Sequence, residues 1–262
     1  MSEAKKKFKK IGRQIWELFK GSIAGGLMFA CAGAILVILT LKGEMTELQW
    51  DGRKIAWTVV CIVAATAYAG LMSYMNGGSA YEMLVAGNMK RMSGSVTEDG
   101  YKISRHMEAK EYRVWKGFAM GGFMAILPLI AGLIFGANQS KIDAMLAEMA
   151  MGNDSTSPFG VGFGIMIIIV LFLSGWTILP FFVPNYALIA AGGAGMSYYY
   201  SCFFALIPVV VTGTMYIAGA YGKRAKTIRK QQIADREAEI EANREKKINY
   251  GGLPGTKPKK RK

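Results

Sequence analysis

Catalysis by proton transfer or nucleophilic attack needs a histidine, thiol or hydroxyl beside a group that tunes it, and this chain offers few such places. Its only histidine, His106, stands among Arg105 and Glu108 on a charged stretch. An imidazole there is solvated, and no second ligand is spaced to share a metal with it. The three cysteines, Cys31, Cys61 and Cys202, all fall in apolar stretches, where a thiol behaves as a small hydrophobe and a disulfide framework is not expected. The chain has no glycine-rich phosphate loop, no Gly-x-Ser-x-Gly and no pair of carboxylates beside an apolar segment. The expectation is therefore no enzyme: no catalytic residues, no cofactor and no metal. Ser174, Thr177, Asn185, Thr212 and Thr214 remain as polar groups within or beside apolar segments, and such side chains mostly bond to their own helix backbone.

The elements around them are set by where charge is missing. From Phe159 to Gly222 there are 64 residues without one Asp, Glu, Lys, Arg or His. A bilayer requires this, since a spanning helix takes about 20 apolar residues and gives a charge no water. Half the residues, 52%, are hydrophobic, yet the net charge is +14, so polar and apolar residues must be segregated along the chain. All 32 basic and 18 acidic residues can be assigned to watery segments, leaving none at membrane depth. Proton relays, ion-coupled carriers and voltage sensors, which place ionisable groups there, are disfavoured.

The pattern predicts an all-α polytopic membrane protein. Residues 1–20 carry seven Lys or Arg against two Glu, with Phe8, Ile11, Ile15, Leu18 and Phe19 at helical spacing, and read as a basic amphipathic helix lying in the interface. Spans follow at about 22–41 and 55–74. Residues 75–116 read as a cytoplasmic helical hairpin, opened by a turn at Asn76-Gly77-Gly78 and closed by an arm running into a third span at 118–135. The segment 136–158 reads as an external loop, in which Ile142, Met145, Leu146 and Met149 suggest a short amphipathic helix. Pro180 and Pro184 divide the charge-free stretch into spans at 159–179, 185–200 and 203–221. Residues 223–262 form a basic tail, helical and then disordered, with 14 basic against five acidic residues. Basic segments at both ends place both termini in the cytoplasm and require an even number of crossings, so six are expected. The alternative is five, with 186–200 re-entrant.

Two sets of residues stand out as candidate sites. Tyr81, Leu84, Val85 and Met89 lie at helical spacing in the hairpin and could dock a partner. Gly192, Gly193 and Gly195 weaken a helix by about 1 kcal/mol each, which calls either for close helix packing or for a break that lines a substrate path. Small residues at four-residue intervals, Gly21 with Gly25, Ala65 with Ala69 and Gly117 with Gly121, argue for close helix approach.

Six crossings, an amphipathic helix before the first and a hairpin after the second are broadly similar in layout to ABC-type exporter permeases. That resemblance implies the permease-like membrane half of a transport assembly, driven by a separate cytoplasmic ATPase. The alternative is an accessory or scaffold protein that recruits a partner through the 75–116 hairpin and the basic tail. Anionic lipid headgroups are the expected partner of the basic ends. A homo-oligomer, and contact of the tail with nucleic acid or the ribosome, stay open. The expected location is the bacterial cell membrane.

Overall fold

A computed structural model describes residues 3–41, 52–92, 109–151 and 160–250, and every element among them is helical. In chain order they are α1 (Glu3–Leu41), α2 (Gly52–Met92), α3 (Trp115–Ala137), α4 (Gln139–Ala150), α5 (Gly160–Ala190), a 3₁₀ turn (Tyr198–Tyr200), α6 (Ser201–Phe204) and α7 (Leu206–Tyr250). Five of these segments are long and apolar enough to cross a membrane: Ile11–Thr40, Gly52–Ala86, Trp115–Ala137, Gly162–Ala190 and the stretch beginning at Tyr198. The protein is a multi-pass integral membrane protein. Residues 1–220 form one compact unit and 221–262 a second; within the second, α7 continues to Tyr250, and residues 251–262 lie outside the described residues.

Three expectations from the sequence are corrected. The basic segment and the first span are one uninterrupted helix, α1, rather than two elements. Gly21 alone does not end a helix, at a cost of about 1 kcal/mol, and its missing side chain is filled by the Met120 thioether. Asn76-Gly77-Gly78 is no turn but the interior of α2. Gly77 is there because a Cβ at that position would overlap the carbonyl of Tyr216 on α7. Last, 185–200 is not a helix of its own. Residues 185–190 end α5, 191–197 connect, and Tyr198 starts the turn that leads into α7. Pro180 and Pro184 are carried inside α5, and the departure from helical geometry comes earlier, at Ser174 (φ −136°, ψ 17°). There Gly175 abuts Gly33 of α1, backbone to backbone at about 3.0 Å for a notional Cβ on either glycine.

Side-chain contacts order the bundle. Leu18 of α1, Ala80 of α2, Met120 of α3 and Tyr216 of α7 cluster at one end, the basic end. α3 runs antiparallel to the succession of 3₁₀ turn, α6 and α7: Gly136 meets the Tyr199 ring, Gly132 meets Ser201 and Cys202, Gly121 meets Val209 and Thr212, and Gly117 meets Gly213 and Tyr216. Thus α1, α2, α3 and α7 each run the length of the bundle, alternating in direction, and the chain enters and leaves the bundle at the basic end. α5 differs. Its Phe163 ring lies 6.0 Å from Lys141 Nζ of α4, and its Asn185 shares a cluster with Asp143 of α4. A straight helix would hold Phe163 and Asn185 about 33 Å apart, so the bend at Ser174 returns both arms to one short helix at the far end. The second arm occupies the centre: Ser174 through Leu179 are six consecutive buried residues, with the Trp176 ring 4.6 Å from Phe29.

Aromatic residues mark both ends. Trp16 and Trp115 are exposed at the basic end, and Trp57, Tyr199 and Tyr200 at the far end. The helix from Trp115 to Gly136, which packs on Tyr199, is about 30 Å long. That matches a hydrocarbon core bounded by two interfacial aromatic belts.

Candidate functional site

At the basic end the four long helices diverge around a cavity of about 400 Å³. Its floor is apolar, formed by Leu18, Ala80 and Met120, and its walls carry Glu17 and Lys20 from α1, Asn76 and Ser79 from α2, Lys110, Lys116 and Tyr216. The segment before α3 is docked there by local bonds. The Tyr112 amide donates to the Ala80 carbonyl at 3.0 Å, and the Tyr112 ring stacks on Tyr216 at 5.4 Å. Lys116 is only 4% exposed. Its Nζ donates to the carbonyls of Ala109 at 2.8 Å and Glu111 at 2.6 Å, which fixes an ammonium group in the cavity wall. A buried cation needs such partners, since an unpaired one costs several kcal/mol.

A second polar cluster lies at the far end. Asn185 is fully buried; its Nδ2 donates to the Met196 carbonyl at 2.8 Å, and the Met196 amide donates back to Oδ1 at 2.6 Å. Gln139 Nε2 reaches the same carbonyl at 3.3 Å. One carboxamide thus closes the connection after α5 by replacing both backbone bonds that a ladder would supply. Asp143 lies against Gly195, where a Cβ would stand 3.2 Å from its Oδ1. That oxygen and the Tyr198 hydroxyl are buried without a hydrogen-bond partner among the described residues. Burial pushes the Asp143 carboxyl above its ordinary range, against an opposing hydrogen bond from Gln139.

Of the sequence candidates, the α2 set flanks the first of these places and Gly195 lies in the second. Tyr81, Leu84 and Val85 are half-buried on α2 and are not among the cavity's lining residues, although Ala80 and Met83 beside them are, and the side chain of Met89 lies outside the described residues. Gly192 has φ +78°. Its amide donates to Ile189 and that of Gly193 to Leu188, both at 2.9 Å. This pair of bonds is a Schellman cap, in which a left-handed glycine closes the helix. Gly195 supplies the clearance beside Asp143 and Asn185. His106 lies outside the described residues.

The other polar groups expected to bond locally partly do. Thr177 donates to Ser174, and Thr214 to Val210. Thr212 donates to Pro208 at 2.6 Å and also across to Gly117 of α3 at 3.1 Å, while its carbonyl accepts from Ser73 of α2 at 2.7 Å. Sequence reasoning missed Lys116, Asp143 and Asn185 as structural centres. A lysine two residues inside an apolar helix, and an asparagine directly after Pro184, were the available signals.

Among the described residues no three His, Cys, Asp or Glu side chains converge. What the basic-end cavity can do is bind: it offers three lysines, one of them, Lys116, held in place by two carbonyls, beside an apolar lining. Compared with protein-family models, curated proteins and solved structures, the chain matches none.

Proposed function

We propose that this chain is a non-catalytic accessory subunit of a membrane assembly that works by binding at its basic end. In this reading α1, α2, α3 and α7 cross, α5 enters and leaves from the far side, and both basic termini face the cytoplasm of a bacterial cell. Four crossings satisfy the requirement for an even number without a sixth span. The observation that carries the reading is the contrast between a packed interior and an open basic end. Trp176, Thr177, Ile178 and Leu179 fill the centre and glycines bring backbones together through the middle, whereas the cavity opens where the cationic side chains collect.

The second reading, the membrane half of a transport assembly, keeps one observation in its favour. α5 is a broken helix with buried Ser174, Thr177 and Asn185 along it, and transporters place such helices at their substrate sites. With four helices crossing, as proposed here, the layout adds no support to it.

Single cysteines in a background lacking Cys31, Cys61 and Cys202 test the arrangement in intact cells. Cysteines at Ser140 and Ala194 should react with an impermeant thiol reagent, and those at Ser79 and Lys226 should react only after lysis. Protection at 194 would restore a sixth crossing, and labelling at 226 in sealed cells would require five. Purification in mild detergent then separates the two functions: a stoichiometric ATPase subunit would favour transport.

A further inference from the structure

We infer that the basic-end cavity is a binding site for the headgroup of an anionic phospholipid. The inference rests on the proposed arrangement only in placing this end at the cytoplasmic leaflet. Three features converge. The first is charge: Lys20, Lys110 and Lys116 face the cavity against one carboxylate, Glu17, with Arg113 and Glu111 nearby. The second is shape and polarity. The cavity holds about 400 Å³, and its lysines share the lining with Leu18 and Met120, which belong to the bundle core. A freely dissolved anion has no use for that apolar lining, whereas a headgroup carries a glycerol backbone and acyl chains that do. The third is depth. Trp16 is adjacent to Glu17 and Trp115 to Lys116, both rings are about half exposed, and Lys20 Nζ lies 5.3 Å over the Trp16 ring. Exposed tryptophans beside lysines mark the level of the headgroups, so the cavity lies where a phosphate diester would be.

Lys116 is the preorganised element. An ammonium has three protons to donate, and the two carbonyl bonds hold it in place before any ligand arrives. Lys20, which is exposed, and Lys110, half-buried, are free to close on the phosphate. Lipid bound here would hold α1, α2 and the start of α3 together at the membrane surface.

The test uses the full chain in mixed micelles, with lipid retention measured by native mass spectrometry and thermal unfolding by circular dichroism. Phosphatidylglycerol, phosphatidylcholine and inorganic phosphate are the three probes. Each lysine acting on an anionic headgroup changes affinity about fivefold, so the double variant Lys20→Gln/Lys110→Gln should lose about 25-fold in its affinity for phosphatidylglycerol. Its unfolding in phosphatidylcholine should be unchanged, because neither side chain is part of the core. Lys116→Gln is avoided as the deciding variant, since it releases two backbone carbonyls. Equal retention of the two lipids by the wild type, or an undiminished preference in the double variant, would overturn the inference. Inorganic phosphate stabilising as well as the lipid would also overturn it, in favour of a soluble anion. Because micelles have no sides, these outcomes are independent of the cysteine labelling that tests the arrangement itself.

Discussion

Replacing Gly77 with alanine should force α2 and α7 apart. A Cβ at residue 77 would overlap the carbonyl oxygen of Tyr216 and stand 2.8 Å and 3.0 Å from that residue's carbonyl carbon and Cα. All three atoms are backbone, so no side chain can rotate away and the helices themselves must separate by about 1 Å to regain ordinary contact. The approach is reciprocal, because a Cβ on Gly219 would overlap the Tyr74 carbonyl. One turn earlier, Ser73 Oγ donates to the Thr212 carbonyl at 2.7 Å and would be stretched by the same movement. Overpacking costs about 1–3 kcal/mol, and an interhelical hydrogen bond in a membrane protein contributes about 0.6 kcal/mol. Against these stands the higher helix propensity of alanine, about 1 kcal/mol. The net expectation is a loss of about 2 kcal/mol. Gly122 of α3 is the control, since nothing lies within 4 Å of a Cβ there; Gly122→Ala should be neutral or stabilise by up to about 1 kcal/mol. Reversible unfolding by dodecyl sulfate in mixed micelles, followed by circular dichroism, measures both. The double variant Gly77→Ala/Gly219→Ala should lose less than the sum of the single losses, as the helices need separate only once. If Gly77→Ala unfolds at the same detergent fraction as Gly122→Ala, the close contact of α2 with α7 is wrong.

Three further outcomes follow from the far end. Gly192→Ala should cost about 1–2 kcal/mol, the price of a left-handed residue with a Cβ, while leaving the bundle intact by circular dichroism. Asn185→Ala removes both bonds to Met196 and leaves its amide buried, a loss of about 2–3 kcal/mol, read as a lower Tm and as faster proteolysis of residues 191–197. Asp143 should make stability fall as pH rises. Its folded pKa is raised by burial, so the native state binds the proton more tightly than the unfolded chain does. Stability is therefore full below the ordinary carboxylate pKa and is lost as pH rises through the raised value. Asp143→Asn should abolish that slope and be no less stable than wild type at neutral pH. A slope retained in Asp143→Asn would assign it to another group.

The sequence by itself determined that the chain is a helical membrane protein and where most of its apolar segments lie, because the energetic penalty for a charge in hydrocarbon is local and can be read residue by residue. It determined the amphipathic α4, whose Ile142, Met145 and Leu146 are buried. It also identified small residues that bring helices together: Gly21 and Gly25 receive Met120 and Met124 of α3, and Gly117 and Gly121 receive α7. What only the tertiary structure decided is which glycines break a helix and which admit a neighbour. Gly77 and Gly192 are the same residue type with the same local propensity. One is helix interior because the Tyr216 carbonyl occupies the space its side chain would fill; the other ends α5 because no other residue adopts φ +78° without strain. The fold-back of α5 is likewise a property of contacts, since Ser174 departs from helical geometry where Gly33 of α1 meets Gly175, 142 residues apart in the chain, a pairing that no local pattern records.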